Sequence, residues 1–206
     1  MTLVQYISFG YYYMQDENLW IEEIAQGSET ALKKLYDYYS TKVFNTVISY
    51  TKNREDAEEI LQDIFVTVYN SASTFRKDAS VSTWIYRVAV NKSLDFLRKK
   101  NSQKRFALFT SLYKRDSGDL AIEQTDFIHP GIKMEQKEDA KLLFQVIDSI
   151  PENQKTIFIL TQIEGLEQKQ VAEIMHISRK AVESLLHRAK NNLKKELGKL
   201  FPERGK

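Results

Sequence analysis

The most constraining feature of the sequence is the stretch from 165 to 193, GLEQKQVAEIMHISRKAVESLLHRAKNNL. Apolar residues recur at helical spacing on both sides of a short break, which predicts two amphipathic helices joined by a tight turn. The outer face of the second helix is basic. This arrangement is typical of the helix-turn-helix, which lays its second helix in the major groove of DNA. The sequence therefore indicates a domain that binds double-stranded DNA.

In most other segments the apolar residues also recur at the spacing of a helix. Apolar stripes predict a helix that starts after Ser28, a second helix capped by Asn53, and a third from about 82 to 100. Helices resume at about 135–149. Pro151 is then expected at the first position of a helix that ends near 163, because proline is tolerated at that position. We therefore expect an all-α fold.

The domain boundaries follow from the loss of this period. Residues 101–134 lose it and collect Ser, Gly and Pro, which predicts a linker. We expect two small helical domains, 14–100 and 135–206, joined by this flexible linker. Residues 1–13 are expected to be an N-terminal extension. One hypothesis is that the native chain begins at Met14, and the alternative is an apolar arm that packs on the first domain.

Composition excludes several kinds of site. The chain has no cysteine, so it has no disulfide framework, thiolate metal site or cysteine nucleophile, which fits a cytoplasmic protein. No apolar run of about eighteen residues is present, so we expect no membrane insertion. No catalytic carboxylate cluster, phosphate-binding loop or zinc-ligand spacing appears. We therefore expect no enzymatic activity, no metal and no cofactor.

Charge is segregated along the chain. Residues 71–105 have a net charge of +7 and residues 165–206 one of +5, whereas 1–70 and 106–164 carry −6 and −4. Two basic blocks indicate two places where a polyanion is held. The alternative is that these lysines and arginines lie on solvated helix faces.

Trp84 lies on the polar side of the predicted third helix, among basic residues. An aromatic ring beside Arg and Lys can stack on unpaired bases while the cations hold the DNA backbone. The alternative is that Trp84 packs under a neighbouring helix, and one indole can do both. The candidate residues for single-stranded DNA lie on this helix and in the loop before it: Phe75, Arg76, Lys77, Ser80, Trp84, Arg87, Asn91 and Arg98.

The predicted second helix has an acidic outer face, which DNA would repel. Such a face suits a protein partner of basic character. The alternative is a solubilising surface without a partner. The candidate residues for this contact are Glu55, Glu58, Glu59, Gln62 and Asp63.

The second helix of the helix-turn-helix exposes polar side chains that can contact base edges and phosphates. His187 among them is expected to act as a neutral hydrogen-bonding group. The alternative for each single residue is a solvated surface position. The candidates for duplex DNA are Arg179, Lys180, Glu183, Ser184, His187, Arg188 and Asn191.

Taken in order, these motifs resemble those of bacterial sigma factors of the extracytoplasmic-function type, group 4 of the sigma-70 family. Residues 56–65 resemble region 2.2, residues 75–98 resemble regions 2.3 and 2.4, and residues 150–154 with 165–193 resemble region 4. The resemblance extends over nearly the whole sequence from Asp16 onward. It implies a dissociable subunit, without catalysis of its own, that directs core RNA polymerase to promoters and helps open the DNA.

The resemblance also implies a role for each surface. The acidic helix would bind the clamp helices of the polymerase β′ subunit. The 75–98 block would melt the −10 element, with flipped bases held by the loop and by Trp84, Arg87 and Asn91. The second domain would seat on the β flap and place 179–191 in the −35 major groove. An anti-sigma factor, membrane-bound in many such systems, is a further implied partner.

The sequence departs from the family pattern in the turn and in the recognition helix. Met175-His176 stands where relatives often have Leu-Gly, so the turn is expected to be strained if His176 has a positive φ. Glu183 stands where lysine is common, which leaves the −35 sequence open. The alternative function is a stand-alone regulator that binds operator DNA as a dimer. That function leaves the Trp84 surface and the acidic helix unexplained.

Overall fold

The structure is a computed structural model that describes residues 17–114 and 137–200. All regular elements in these two ranges are helices, which confirms the all-α class. The N-terminal extension and most of the predicted linker lie outside the described residues. The first domain contains α1 (17–25), α2 (Glu29–Thr51), α3 (Arg54–Ser71), a 3-10 turn (Ala72–Thr74) and α4 (Val81–Lys114). The second contains α5 (Lys137–Ser149), α6 (Glu152–Phe158), a π-helical turn (Ile159–Ile163), α7 (Gln168–Met175) and α8 (Arg179–Leu200).

Side-chain caps fix where the first helices begin. The Ser28 hydroxyl accepts a hydrogen bond from the Ala31 amide at 3.2 Å, and the Asn53 side chain accepts one from the Asp56 amide at 2.8 Å. Each cap satisfies an amide that would have no partner within its helix. Both N-caps predicted from the sequence are confirmed.

Two helix boundaries differ from the predicted ones. The prediction that the third helix ends near residue 100 is wrong, because α4 continues to Lys114. Residues 101–114 contain neither glycine nor proline, so nothing in their local chemistry stops the helix. Pro151 is the residue before α6 rather than its first residue, and the helix after it changes to π geometry at Ile159.

The two domains pack against each other. One apolar cluster contains the first-domain residues Leu35 and Ile64 together with Phe144 and Ile147 of α5. A second cluster joins Tyr86 and Val90 of α4 to the inner faces of α7 and α8. The helix-turn-helix is thereby held against the first domain.

Candidate nucleic-acid interface

A cavity of about 210 Å³ opens where the loop before α4 meets the start of that helix. The loop folds back because Lys77 has a φ of 61° and the Ser80 hydroxyl caps α4 by accepting from the Thr83 amide at 3.1 Å. The cavity is therefore bounded by the loop on one side and by the first turns of α4 on the other. Its lining residues are Thr74, Phe75, Arg76, Asp78, Ala79, Trp84 and Arg87.

An aromatic pair forms one wall of this cavity. The rings of Phe75 and Trp84 lie 4.9 Å apart between centroids, tilted by 34°. Both side chains are half-buried and also pack against the main apolar cluster. The sequence left open whether Trp84 packs under a neighbouring helix or lies at an accessible surface. Its indole does both, since it is anchored in the core and faces an open cavity. Such a pair offers a rigid apolar surface of the size of a nucleobase.

Two arginines supply the positive charge at the cavity. Arg76 is exposed on the loop, whereas Arg87 is half-buried on α4. The Arg87 Nη2 donates a hydrogen bond of 2.8 Å to the carbonyl oxygen of Glu173, which lies in α7 of the second domain. The Arg87 Nε is buried and has no hydrogen-bond partner among the described residues. One of the two cavity arginines is therefore engaged by the helix-turn-helix.

The remaining candidates for single-stranded DNA do not line the cavity. Lys77 forms an ion pair of 2.5 Å with Glu22 of α1, and Ser80 is the cap of α4. Asn91 is exposed one turn along α4 from Arg87. Arg98 lies farther along α4 and pairs with Glu152 of the second domain at 2.9 Å. The structure brings Phe75, Arg76, Trp84 and Arg87 together and leaves the other four outside the cavity.

Three further residues line the cavity, Thr74, Asp78 and Ala79, and none of them is among the predicted site residues. Asp78 is the only acidic residue in the lining, so it bears on which groups the cavity accepts. For Asp78 and Ala79 the available signal was their position in the loop between Phe75 and the Ser80 cap of α4, whereas Thr74 precedes that loop. That position indicates a loop but not the direction in which the loop folds.

The recognition helix α8 presents a polar surface to solvent. Its buried stripe is formed by Val182, Leu186, Ala189 and Leu193. The Ser178 hydroxyl caps the helix by accepting from the Ala181 amide at 3.1 Å. All seven residues predicted for duplex DNA are exposed: Arg179, Lys180, Glu183, Ser184, His187, Arg188 and Asn191. This face remains accessible while the helix-turn-helix is packed on the first domain.

The acidic face of α3 is also open to solvent. All five predicted residues are exposed: Glu55, Glu58, Glu59, Gln62 and Asp63. Glu58 forms an ion pair with Arg54 at 2.8 Å, within the same helix. Val66 and Tyr69 continue this exposed side of α3 with apolar surface that was not apparent from the sequence. An exposed apolar patch that includes an aromatic residue and has a polar rim is typical of a protein interface.

A polar cluster lies where α2 meets the second domain, and no local sequence pattern indicates it. Lys52, at the end of α2, donates to the carbonyl oxygen of Phe144 at 3.1 Å and forms an ion pair with Asp148. Lys155 pairs with the same carboxylate at 2.5 Å and lies over the Tyr50 ring. Burial lowers the pKa of Lys52 to about 7, with the nearby charge of Lys155 acting in the same direction. Two lysines therefore share one carboxylate between the domains.

Within 17–114 and 137–200, no helix is both long and apolar enough to cross a membrane. In the same ranges no three acidic, histidine or cysteine residues are grouped in a way that could hold a metal ion.

Comparison with known families gives two matches along the chain. Residues 35–103 match the model "Sigma-70 region 2", and residues 140–193 match "Sigma-70, region 4". The chain is 29% identical over 183 residues to the ECF RNA polymerase sigma-E factor of Haemophilus influenzae, covering 88% of this chain and 95% of the relative. It is 26% identical to the RNA polymerase sigma-H factor of Pseudomonas aeruginosa, covering 92% and 97%.

Solved structures with a similar fold are more distant in sequence. CnrH in complex with the cytosolic domain of CnrY superposes with a TM-score of 0.64 at 18% identity, covering 88% of this chain and 96% of that one. The sigma factor RpoE of Bartonella quintana, in complex with the anti-sigma factor NepR, gives a TM-score of 0.60 at 19% identity, covering 80% and 95%.

Proposed function

The chain belongs to the sigma-70 family of RNA polymerase sigma factors, in its extracytoplasmic-function branch, and on this basis we propose how its surfaces share the work of initiation. A sigma factor directs RNA polymerase to promoters and is not itself an enzyme. In our proposal the first domain binds the polymerase and captures opened DNA, and the second binds duplex DNA upstream. Its place of action would be the cytoplasm, together with the polymerase.

The observation that carries this proposal is the cavity beside the Phe75–Trp84 pair. An unpaired base that enters it would stack on the aromatic wall, and Arg76 would hold the adjacent phosphate. Only a base released from the duplex can reach such a cavity, so binding there favours the melted state of the −10 element. Asn91 and Arg98, outside the cavity, would guide the strand along α4.

The other two surfaces complete the assignment. The exposed polar face of α8 would enter the −35 major groove, since its seven side chains all face solvent. The acidic face of α3 would bind the clamp helices of the β′ subunit, and the second domain would seat on the β flap. Two proteins of similar fold are described in complexes with CnrY and with the anti-sigma factor NepR. We propose that this chain also binds a partner of this kind, an anti-sigma factor.

Run-off transcription with core polymerase tests the proposal. Promoters obtained by mapping transcript starts after forced expression would be offered as duplex DNA and with the −10 segment already unpaired. We expect specific initiation from both templates. A variant that lacks cavity residues should lose initiation on the duplex template and recover it mainly on the template whose −10 segment is already unpaired. A free protein that binds operator duplexes tightly as a dimer, and fails to direct initiation, would reject the proposal and support a stand-alone regulator.

A further inference from the structure

Two candidate residues on the recognition face of α8 contact each other. The side-chain nitrogen of Asn191, Nδ2, lies 3.0 Å from Nε2 of the His187 ring. The two residues are four apart in one helix, so their side chains lie on the same side of it. Both side chains are exposed. The pair therefore belongs to the surface that would face duplex DNA.

The chemistry of the two nitrogens fixes the position of the proton on the His187 ring. An amide nitrogen carries two hydrogens and cannot accept, so Nδ2 of Asn191 donates. Nε2 of His187 then accepts with its lone pair, which requires a neutral ring whose one N–H is at Nδ1. Nδ1 has no hydrogen-bond partner among the residues that the structure describes. The contact with Asn191 thus leaves His187 with a donor, Nδ1–H, that is available to a ligand.

His187 is better placed than Asn191 to contact a base. The N-terminal residues of a recognition helix are the ones that contact base edges. The helix α8 begins at Arg179, and Asn191 lies about 6 Å farther along it than His187, at 1.5 Å per residue. We therefore expect Asn191 to act through the imidazole of His187 rather than on a base of its own.

We propose that Asn191 is a positioning residue that holds His187 as a hydrogen-bond donor, so that α8 selects a base with acceptor groups at one position of the −35 element. In the major groove guanine presents two acceptors, N7 and O6, whereas cytosine presents the N4 amino donor. The pair therefore favours guanine over cytosine at the base that His187 contacts. This inference rests on the proposed role of α8 and adds the kind of base that one of its side chains reads.

Nitrogen NMR of the isotopically labelled full chain, without DNA, measures the tautomer. At about pH 8.5 a free imidazole is neutral, and the chemical shifts of its two nitrogens identify the protonated one. We expect the ring of His187 to carry its proton at Nδ1. Asn191→Ala should shift the ring toward the Nε2–H form, because no amide then donates to Nε2. Asn101→Ala, the same substitution at an exposed position of α4, should leave the ring unchanged.

A wild-type ring protonated at Nε2 would overturn the inference whatever the DNA experiments show. This measurement needs no substitution, so it remains decisive if a variant fails to fold.

Initiation by the holoenzyme measures the consequence for DNA. Promoters found by mapping transcript starts would carry guanine or cytosine at each position of the −35 element in turn. We expect the wild-type protein to prefer guanine by about tenfold at one position, and His187→Ala to lose this preference. Asn191→Ala should lose it too and keep the preferences at the other positions. Asn191→Gln, which retains the amide donor, should recover part of it, and Asn101→Ala should behave as the wild type.

The outcomes separate this inference from the proposed function. If no substitution in the −35 element affects initiation by the wild-type holoenzyme, α8 does not read this element and the proposed function fails. If His187→Ala removes the guanine preference but Asn191→Ala leaves it intact, the −35 role stands and the positioning role of Asn191 is rejected. The inference is also wrong if no position responds to His187→Ala, or if the position that responds prefers cytosine.

Discussion

Trp84 illustrates how one side chain can serve the core and a ligand together. Its indole packs on Phe75 and on the apolar cluster, which fixes its rotamer, and the same ring borders the cavity. A ring held in place before binding loses little further freedom when a base stacks on it. At the residue scale, the polar position of this tryptophan on the predicted helix agrees with its half-buried place at the cavity. The sequence indicated a loop at Asp78 and Ala79 but not that these residues line a cavity, because their placement depends on the backbone turn at Lys77.

Trp84→Ala should impair promoter opening more than binding of core polymerase. Loss of one stacked base contact costs about 1–3 kcal/mol, or roughly tenfold in the equilibrium for open-complex formation. Trp84→Phe retains an aromatic wall and should recover part of the activity. Permanganate footprinting would measure opening, and a pull-down would measure core binding. Equal loss of both in Trp84→Ala would count against the stacking role.

Glu164 predicts a pH-dependent stability. Burial raises the pKa of its carboxyl to about 7, while a hydrogen bond with Thr46 opposes this rise. Between about pH 4.5 and 7 the unfolded chain releases this proton and the folded chain retains it, so stability falls as pH rises through this window. Above pH 7 the penalty is fully present.

Glu164→Gln mimics the protonated carboxyl and should therefore stabilise the protein at pH 8, by about 2 kcal/mol, and leave it nearly unchanged near pH 4.5. Urea denaturation at both pH values measures the difference. Glu23→Gln, at an exposed position of α1, is the control. A gain of equal size at both pH values would show that ionisation of Glu164 is not its source.

At the scale of elements, most of this fold follows from local chemistry. The caps at Ser28 and Asn53, the helix-turn-helix and the apolar stripes could all be predicted, because period and capping depend on neighbours in sequence. The extension of α4 to Lys114 was missed because the helical period is lost after residue 100, although the segment to Lys114 contains no glycine or proline to end the helix. The π turn at Ile159–Ile163 has no local signature, and its Ile159 is buried in the apolar cluster that contains first-domain residues.

The turn of the helix-turn-helix is strained at His176. This residue has a φ of 53°, and its side chain is exposed. Because left-handed geometry costs an L-residue about 1–2 kcal/mol, His176→Gly should stabilise the protein by about 1 kcal/mol. Gly165 has a φ of 69°, and a Cβ added there would meet open space, so Gly165→Ala should destabilise the protein through backbone strain alone. Thermal denaturation measures the unfolding midpoint of both variants. A lower midpoint for His176→Gly than for the wild-type protein would contradict the argument.

Arg188 lies at the middle of the exposed face of α8 and should contact the −35 element. A good contact from arginine to a guanine is worth about 1–3 kcal/mol, so Arg188→Ala should reduce initiation roughly tenfold at promoters that require this element. Lys199→Ala, also exposed but near the end of α8 and paired with Glu196, is the control. Run-off transcription on promoters with substituted −35 sequences measures the effect. Unchanged initiation throughout would remove Arg188 from the contact surface.

At the scale of the whole molecule, the domains share apolar surface. This arrangement could not be predicted, because the sequence pattern of each helix specifies an inner face and not its partner. Phe144 and Ile147 of α5 belong to the cluster that contains Leu35 and Ile64 of the first domain. Lys52 brings a polar group to the same boundary. Unfolding of one domain therefore exposes apolar surface of the other, and the two should unfold together.

Phe144→Ala tests this coupling. Its side chain is almost fully buried, and truncation of a core phenylalanine costs about 3–5 kcal/mol. Both tryptophans, Trp20 and Trp84, lie in the first domain, so their fluorescence reports that domain, whereas far-ultraviolet circular dichroism reports all helices. We expect both signals to show one transition at the same lowered midpoint. Lys169→Ala, at an exposed position, should leave the midpoints of both signals unchanged. A fluorescence midpoint that stays at the wild-type value, with a separate earlier loss of helix, would mean that the domains unfold independently and that their packing is weak.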